Sequence, residues 1–95
     1  MELNSILEIV ANETNTTQDA LKSRMKNRSL TDARALFFFF SFVKTSKSCK
    51  EIGSYLNRRH NTALYGAKRT KELKKFHKDF LLTFTNIKEK LNLNT

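Results

Sequence analysis

Ser48-Cys49-Lys50-Glu51-Ile52-Gly53-Ser54-Tyr55-Leu56-Asn57-Arg58-Arg59-His60-Asn61-Thr62-Ala63-Leu64-Tyr65-Gly66-Ala67-Lys68 is the stretch on which the fold turns. Ser48 is placed to cap a short helix, and Cys49 to Leu56 follow with Ile52, Tyr55 and Leu56 on the inner side. Asn57-Arg58-Arg59 reads as a polar turn, after which His60 and Asn61 open a second helix carrying Leu64, Ala67 and Leu73. Helix, short turn, helix is the pattern whose second helix enters the DNA major groove by its N-terminal residues. The side chains at that end suit base edges. Asn61 can bond adenine, Arg58 and Arg59 can bond guanine, and the Thr62 methyl can touch the thymine methyl. The positive end of the helix dipole adds attraction for phosphate. The plainer alternative for Asn61 is that it caps this helix.

Upstream, Thr31 or Asp32 can cap a helix that runs to about Lys44, with an inner stripe of Ala33, Leu36 or Phe37, Phe40 and Val43. Phe37 to Phe40 are four consecutive phenylalanines. On a helix each is turned ~100° from the last, so they cannot all face one core. A β-strand would also accept the run, but strong helical patterns flank it and no partner strand is visible. Phe38, Phe39 and Phe42 must then pack on several neighbours or leave an exposed aromatic patch, and such a patch marks a partner surface. Before this helix, Lys22-Ser23-Arg24-Met25-Lys26-Asn27-Arg28 has four basic residues and no acid and reads as an exposed basic loop. A solvated helix end is the bland alternative. Leu3, Ile6, Leu7, Val10 and Ala11 make a first amphipathic helix over about Glu2 to Asn12, and Thr16 or Thr17 can cap a short second one through Leu21. Downstream, Phe76, Phe80, Leu81, Phe84, Ile87, Lys88 and Leu91 recur at helical spacing, and Asn92 to Thr95 is expected to fray. The expectation is an all-α fold of about six helices, with residues 1–95 forming a single helical DNA-binding domain.

Composition narrows the function. Eighteen Lys and Arg stand against nine Asp and Glu, a formal net charge of +9 on 95 residues, which points to a polyanion such as nucleic acid. Proline is absent and glycine occurs twice, which suits long helices and not a turn-rich β-sandwich. Cys49 is the only cysteine, so neither a disulfide framework nor a zinc site can form. Met1-Glu2-Leu3-Asn4 has no basic n-region, and Leu36 to Val43 is far too short to span a bilayer. A cytoplasmic location and no membrane partner are expected. No glycine-rich phosphate loop is present, His60 and His77 have no metal-ligand companions, and no nucleophile has a base beside it. No enzymatic activity, cofactor or metal is expected.

With Glu51-Ile52-Gly53 and Arg59-His60-Asn61-Thr62 in place, the chain resembles the C-terminal DNA-binding domain of the bacterial replication initiator DnaA. That family carries Ser-Leu-x-Glu-Ile-Gly, then Phe-Gly-Gly-Arg-Asp-His-Thr-Thr-Val-Leu-His-Ala. The similarity runs without an evident gap from about Ile6 to Arg69, and takes in Leu21, Arg24, Lys26, Arg28, Arg34, Ala67 and Arg69. The resemblance implies a helical fold related to the Trp repressor. It implies that His60, Asn61 and Thr62 read bases in the major groove, that Arg34 enters the minor groove, and that Lys22 to Arg28 lie along phosphates. Three departures stand out: His60-Asn61-Thr62-Ala63 replaces Asp-His-Thr-Thr, Asn57-Arg58 replaces the glycine pair, and Asp32 stands where a cation or an apolar residue is usual. These residues do not include the family's nucleotide-binding motor domain; the chain is either an isolated domain of a larger protein or, as the start methionine leads one to expect, a stand-alone small protein such as one from a phage or mobile element.

The expected partner is double-stranded DNA, contacted by Lys22, Arg24, Lys26, Arg28, Arg34, Lys47, Ser48, Lys50, Arg58, Arg59, His60, Asn61, Thr62 and Lys68, in a small regulator of transcription or replication. Two other readings are a protein-interaction or self-association module using the Phe37–Phe42 surface, and a non-specific nucleic-acid binder.

Overall fold

In the computed structural model, which describes residues 2–93, the four phenylalanines lie in the middle of a helix. That helix is α3 (Arg28–Lys44), the third of six; the others are α1 (Leu3–Glu13), α2 (Gln18–Lys22), α4 (Cys49–Tyr55), α5 (His60–Phe76) and α6 (Lys78–Leu93). No strand occurs among the described residues, so the all-α expectation holds and the strand reading of the phenylalanine run falls. Of the expected frayed tail, Asn92 and Leu93 continue α6, and 94–95 lie outside the described residues.

A helix that is apolar on every side needs neighbours on every side, and α3 has them. Helices α1, α2, α4 and α5 pack against it. Phe37 stacks on Tyr55 of α4 with ring centroids 5.8 Å apart. Phe38 runs beneath Gly66 of α5, so closely that a Cβ on that glycine would come within 2.6 Å of the ring. Phe39 and Phe40 meet Phe84 of α6 at 5.3 and 4.9 Å. Phe37, Phe38 and Phe40 are buried, while Phe39 and Phe42 are half-buried and packed against the core. The Lys74 ammonium, 4.7 Å from the Phe84 ring and 5.8 Å from that of Phe39, covers the remaining edge. The phenylalanines thus pack as core, as the first of the two options for the run has it, and the alternative of an exposed aromatic patch over Phe37–Phe42, on which the interaction-module reading depends, falls. Val43, expected on the inner stripe, is 59 % exposed instead.

The capping chemistry sets where the helices start. Thr17 Oγ1 accepts the Ala20 N–H at 3.0 Å and opens α2, as the sequence suggests. Helix α3 begins earlier than expected. Its cap is Asn27, whose Oδ1 accepts the Leu30 N–H at 2.9 Å, and buried Leu30 anchors the first turn. Thr31 and Asp32 thus lie inside the helix. The basic loop shortens to 23–27, because Lys22 ends α2 and Arg28 begins α3. In α6, Phe80, Phe84, Ile87 and Leu91 form the buried stripe, and the helix packs on α1 and α5. Phe76 does not belong to that stripe; it ends α5 and is 79 % exposed. Leu81 and Lys88 also face outward.

Candidate nucleic-acid interface

The helix-turn-helix is built by three local devices. The first is a reciprocal cap on α4: the Glu51 N–H donates to Ser48 Oγ at 3.2 Å, and the Ser48 N–H donates to Glu51 Oε1 at 3.5 Å. The second is the left-handed residue that ends α4. Asn57 has φ 58°, its N–H bonds the Ser54 carbonyl at 2.9 Å, and the Arg58 N–H bonds the Gly53 carbonyl at 2.8 Å. This is a Schellman closure with asparagine at the position that favours glycine or asparagine. The third is the missing side chain of Gly53. A Cβ there would lie 2.8 Å from the Arg59 carbonyl oxygen and 3.0 Å from that of Arg58. The chain entering α5 crosses directly over α4 at this point, and only glycine leaves room.

Helix α5 then presents its first turns to solvent. Its cap position is held by Arg59 without a side-chain cap bond, so the capping reading of Asn61 does not apply. Arg59, His60, Asn61 and Thr62 are exposed, as is Lys68. The inward phase differs from expectation. Leu73 is buried as expected and Ala67 is half-buried, but Ala63 and Thr70 are buried in place of Leu64, which is 50 % exposed. The small Ala63 sits in the close approach between helices, and the larger Leu64 is left outside.

The expected cations separate into free and engaged groups. Arg24 and Lys26 are exposed on the loop. The Lys22 ammonium lies 4.7 Å over the Tyr55 ring, and Arg28 faces Asp32 at 4.0 Å. Lys47 pairs with Glu51 at 3.9 Å in a groove that also contains Glu2, and Ser48 is occupied by the α4 cap. Lys50 is exposed on α4.

Arg34 requires a correction. A minor-groove arginine must reach outward, but Arg34 is 6 % exposed. Its Nε donates to the Leu21 carbonyl at 2.8 Å, and its Nη2 donates to those of Ala20 and Ser23 at 2.9 and 3.1 Å. It ties the end of α2 to α3. Arg58 does similar work from the other side: Nη1 donates to Leu56 at 2.6 Å and Lys22 at 3.4 Å, and Nη2 to Ser23 at 2.7 Å. Burial lowers the pKa of both guanidinium groups from the usual arginine value, and the nearby charge of Arg58 lowers that of Arg34 further.

The structure brings Lys26, Arg34, Arg58 and Thr62 together around one cleft between the loop, α3 and α5. It adds Tyr65 and Arg69, which the site reading omitted. Both follow Thr62 at helical spacing, so extending that periodicity one and two turns would have found them. Lys47, before α4, and Lys50, on it, do not join this cleft.

Comparison with known proteins agrees with this geometry. The family described as the bacterial dnaA protein helix-turn-helix matches residues 3–70. The chromosomal replication initiator protein DnaA of Campylobacter concisus is 27 % identical over 92 residues, which cover 96 % of this chain and 21 % of that protein. The protein of the same name from Oleidesulfovibrio alaskensis is 30 % identical over 66 residues, covering 70 % of this chain and 14 % of that protein. The chain thus spans about a fifth or less of the length of these relatives. With most of its residues inside the family match, and with the capped helix, asparagine turn and exposed second helix all present, the chain belongs to the bacterial DnaA helix-turn-helix family.

Proposed function

We propose that this chain is a non-catalytic duplex-DNA-binding protein that lays the first turns of α5 in the major groove. The observation that carries the reading is the run of exposed polar side chains from Arg59 to Thr62 at a helix N-terminus, beside the exposed cations Arg24 and Lys26. His60, Asn61 and Thr62 read base edges, and Tyr65 extends the same face by one turn. Arg24, Lys26, Arg59, Lys68 and Arg69 neutralise phosphates. Arg34 positions the loop and contacts no DNA. No described helix is long and apolar enough to cross a membrane, in keeping with a protein that works at the nucleoid. Its role is to regulate or mark a replication or transcription site.

Selection from random duplexes with the purified chain yields the preferred site. On that site Asn61→Ala costs about 1–3 kcal/mol and little on random DNA, because an uncharged side chain acts through base-edge bonds. Lys26→Ala weakens both DNAs alike and reduces the salt slope by about one. With about five phosphates neutralised, log K falls against log salt with a slope of roughly −4.5. A flat salt response overturns the DNA reading. An unchanged ratio of specific to random binding for Asn61→Ala overturns base reading by α5.

A further inference from the structure

Helix α6 carries two stripes of the same spacing. Phe80, Phe84, Ile87 and Leu91 are buried in the core. Lys78, Leu82, Thr85 and Glu89 repeat that pattern two residues earlier, and all four are exposed. Two residues turn a helix by about 200°, so the second stripe runs along the opposite face. Steps of four and three residues make the seam along which one helix meets another. Leu82 on the stripe is 64 % exposed, and Leu81 beside it 43 %. The charges on this face are unmatched within the chain. Among the described residues Lys78, Asp79, Lys88 and Glu89 form no ion pair, whereas Lys90 meets Glu13 of α1 at 3.1 Å.

The order of residues along the outer stripe selects its occupant. Laid antiparallel on a second copy, with a two-fold axis between Leu82 and Thr85, the stripe sets Lys78 against the partner's Glu89 and Leu82 against the methyl of the partner's Thr85. Each contact occurs twice by symmetry. On the flanks, Asp79 comes beside the amide of the partner's Asn86, and Leu81 beside the methylene stem of the partner's Lys88. A parallel pairing sets Lys78 on Lys78 and Glu89 on Glu89, and is repelled. Lys78 opens α6 and Glu89 lies near its end, so both oppose the dipole of their own helix; an antiparallel partner brings to each the helix end that suits it. Charge also favours this face for self-association. The chain as a whole carries +9, but the lysines of α6 are balanced by Asp79, Glu89 and the Glu13 that pairs with Lys90. We propose that the outer face of α6 is a homodimer interface, two α6 helices packed antiparallel about a two-fold axis. From Lys78 to Glu89 the seam is about 17 Å long. A contact of this length falls in the small class, below about 1,200 Å², so the dimer is weak, with a Kd on the order of 0.1 mM. It forms with or without DNA.

The test is sedimentation equilibrium on the full chain without DNA, at about 0.15 M salt, where exposed charges more than roughly 8 Å apart are screened. Backbone-amide NMR is followed over the same dilution. The parent protein is expected to dimerise, with dilution shifts confined to the outer face of α6 at Leu81, Leu82, Thr85 and Asn86. Lys78→Glu and Glu89→Lys each set like charges opposite one another at two places, and each should weaken the dimer about tenfold. Both changes suit the helix dipole, so the fold is kept, and melting temperatures are measured alongside. Mixing the two single variants should restore association, because every pair across the seam is then of opposite sign. Lys78→Glu and Glu89→Lys in one chain should restore it as well. Leu82→Glu should abolish it. A parent protein that stays monomeric at about 1 mM overturns the proposal, as do dilution shifts centred on another face. Single variants that dimerise like the parent overturn it too, and so does a mixture that associates no better than its components.

Discussion

The turn after α1 and the turn after α4 share one backbone plan. Asn15 has φ 56° and Asn57 has φ 58°. After α1, the N–H groups of Asn15 and Thr16 return to Asn12 and Ala11 at 3.4 and 2.9 Å; after α4, those of Asn57 and Arg58 return to Ser54 and Gly53 at 2.9 and 2.8 Å. The difference lies in what surrounds them. The first turn is finished by its own hydroxyls, with Thr14 Oγ1 bonded to the Val10 carbonyl at 2.7 Å and 2.9 Å from Thr16 Oγ1. The second is bound to a distant segment: Asn57 Nδ2 and Arg58 reach the carbonyls of Lys22 and Ser23. The residue that accepts the longer bond is Ala11 in the first turn and Gly53 in the second. A turn of this kind ends a helix wherever asparagine allows it. Only long-range ties convert it into a fixed angle between two helices.

Substitutions should separate the two turns. The largest effect is expected from Gly53→Ala, which forces a Cβ against two backbone carbonyls. It should cost about 1–3 kcal/mol, read as a melting temperature lower by roughly 4–8 °C per kcal/mol, and should weaken duplex binding by tilting α5. Ala11 already carries the equivalent Cβ in the first turn, buried and without conflict. Next comes Arg58→Ala, which removes three hydrogen bonds, although Asn57 and Arg34 still donate to the Lys22 and Ser23 carbonyls, and should cost about 1–2 kcal/mol; hydrogen exchange should quicken at residues 22–24. Asn57→Ala and Asn15→Ala should each cost about 1 kcal/mol, the penalty of a left-handed residue with a Cβ and no local bond. The melting temperature should fall somewhat further for Asn57→Ala, which also gives up the Nδ2 bond to the Lys22 carbonyl, and only Asn57→Ala should lower duplex affinity. Thr14→Val should cost least, about 0.5–1 kcal/mol for one partly solvated bond, with DNA binding unchanged. If Asn15→Ala weakened DNA binding as much as Asn57→Ala, the two turns would not differ in the way described.

The features that can be read from the chain before folding are those whose cause is local. Thr17 and Ser48 are hydroxyls followed by helix formers, and both cap. The 4-3-4 spacing of Phe80, Phe84, Ile87 and Leu91 is a stripe in any helix. What stayed hidden depends on neighbours. The phase of α5 is set by how near α3 and α4 come, and that favours Ala63 over Leu64 although hydrophobicity alone ranks them the other way. The start of α3 at Asn27 is decided by Leu30 finding a buried seat. Arg34 and Arg24 are the same residue type a few turns apart; one folds onto carbonyls and the other is left in water. Nothing in their immediate sequence separates them, because the carbonyls that claim Arg34 are brought to it by the packing of α2.

The docking of α6 on α1 has a consequence in time. Helix α6 follows the other described helices along the chain, and synthesis releases the chain from its N-terminus. Helices α1 to α5, with the whole helix-turn-helix, leave the ribosome before the 16 residues of α6. During that interval the faces of α1 and α3 that will meet Phe80, Phe84, Ile87 and Leu91 are open to water, including the Phe39 and Phe40 rings. Bringing together two segments as far apart in the chain as α1 and α6 carries an entropy cost that local helix pairs do not face. The nascent protein therefore holds a formed helix-turn-helix over an unsealed core, and its hazard of aggregation is concentrated in the interval before α6 emerges.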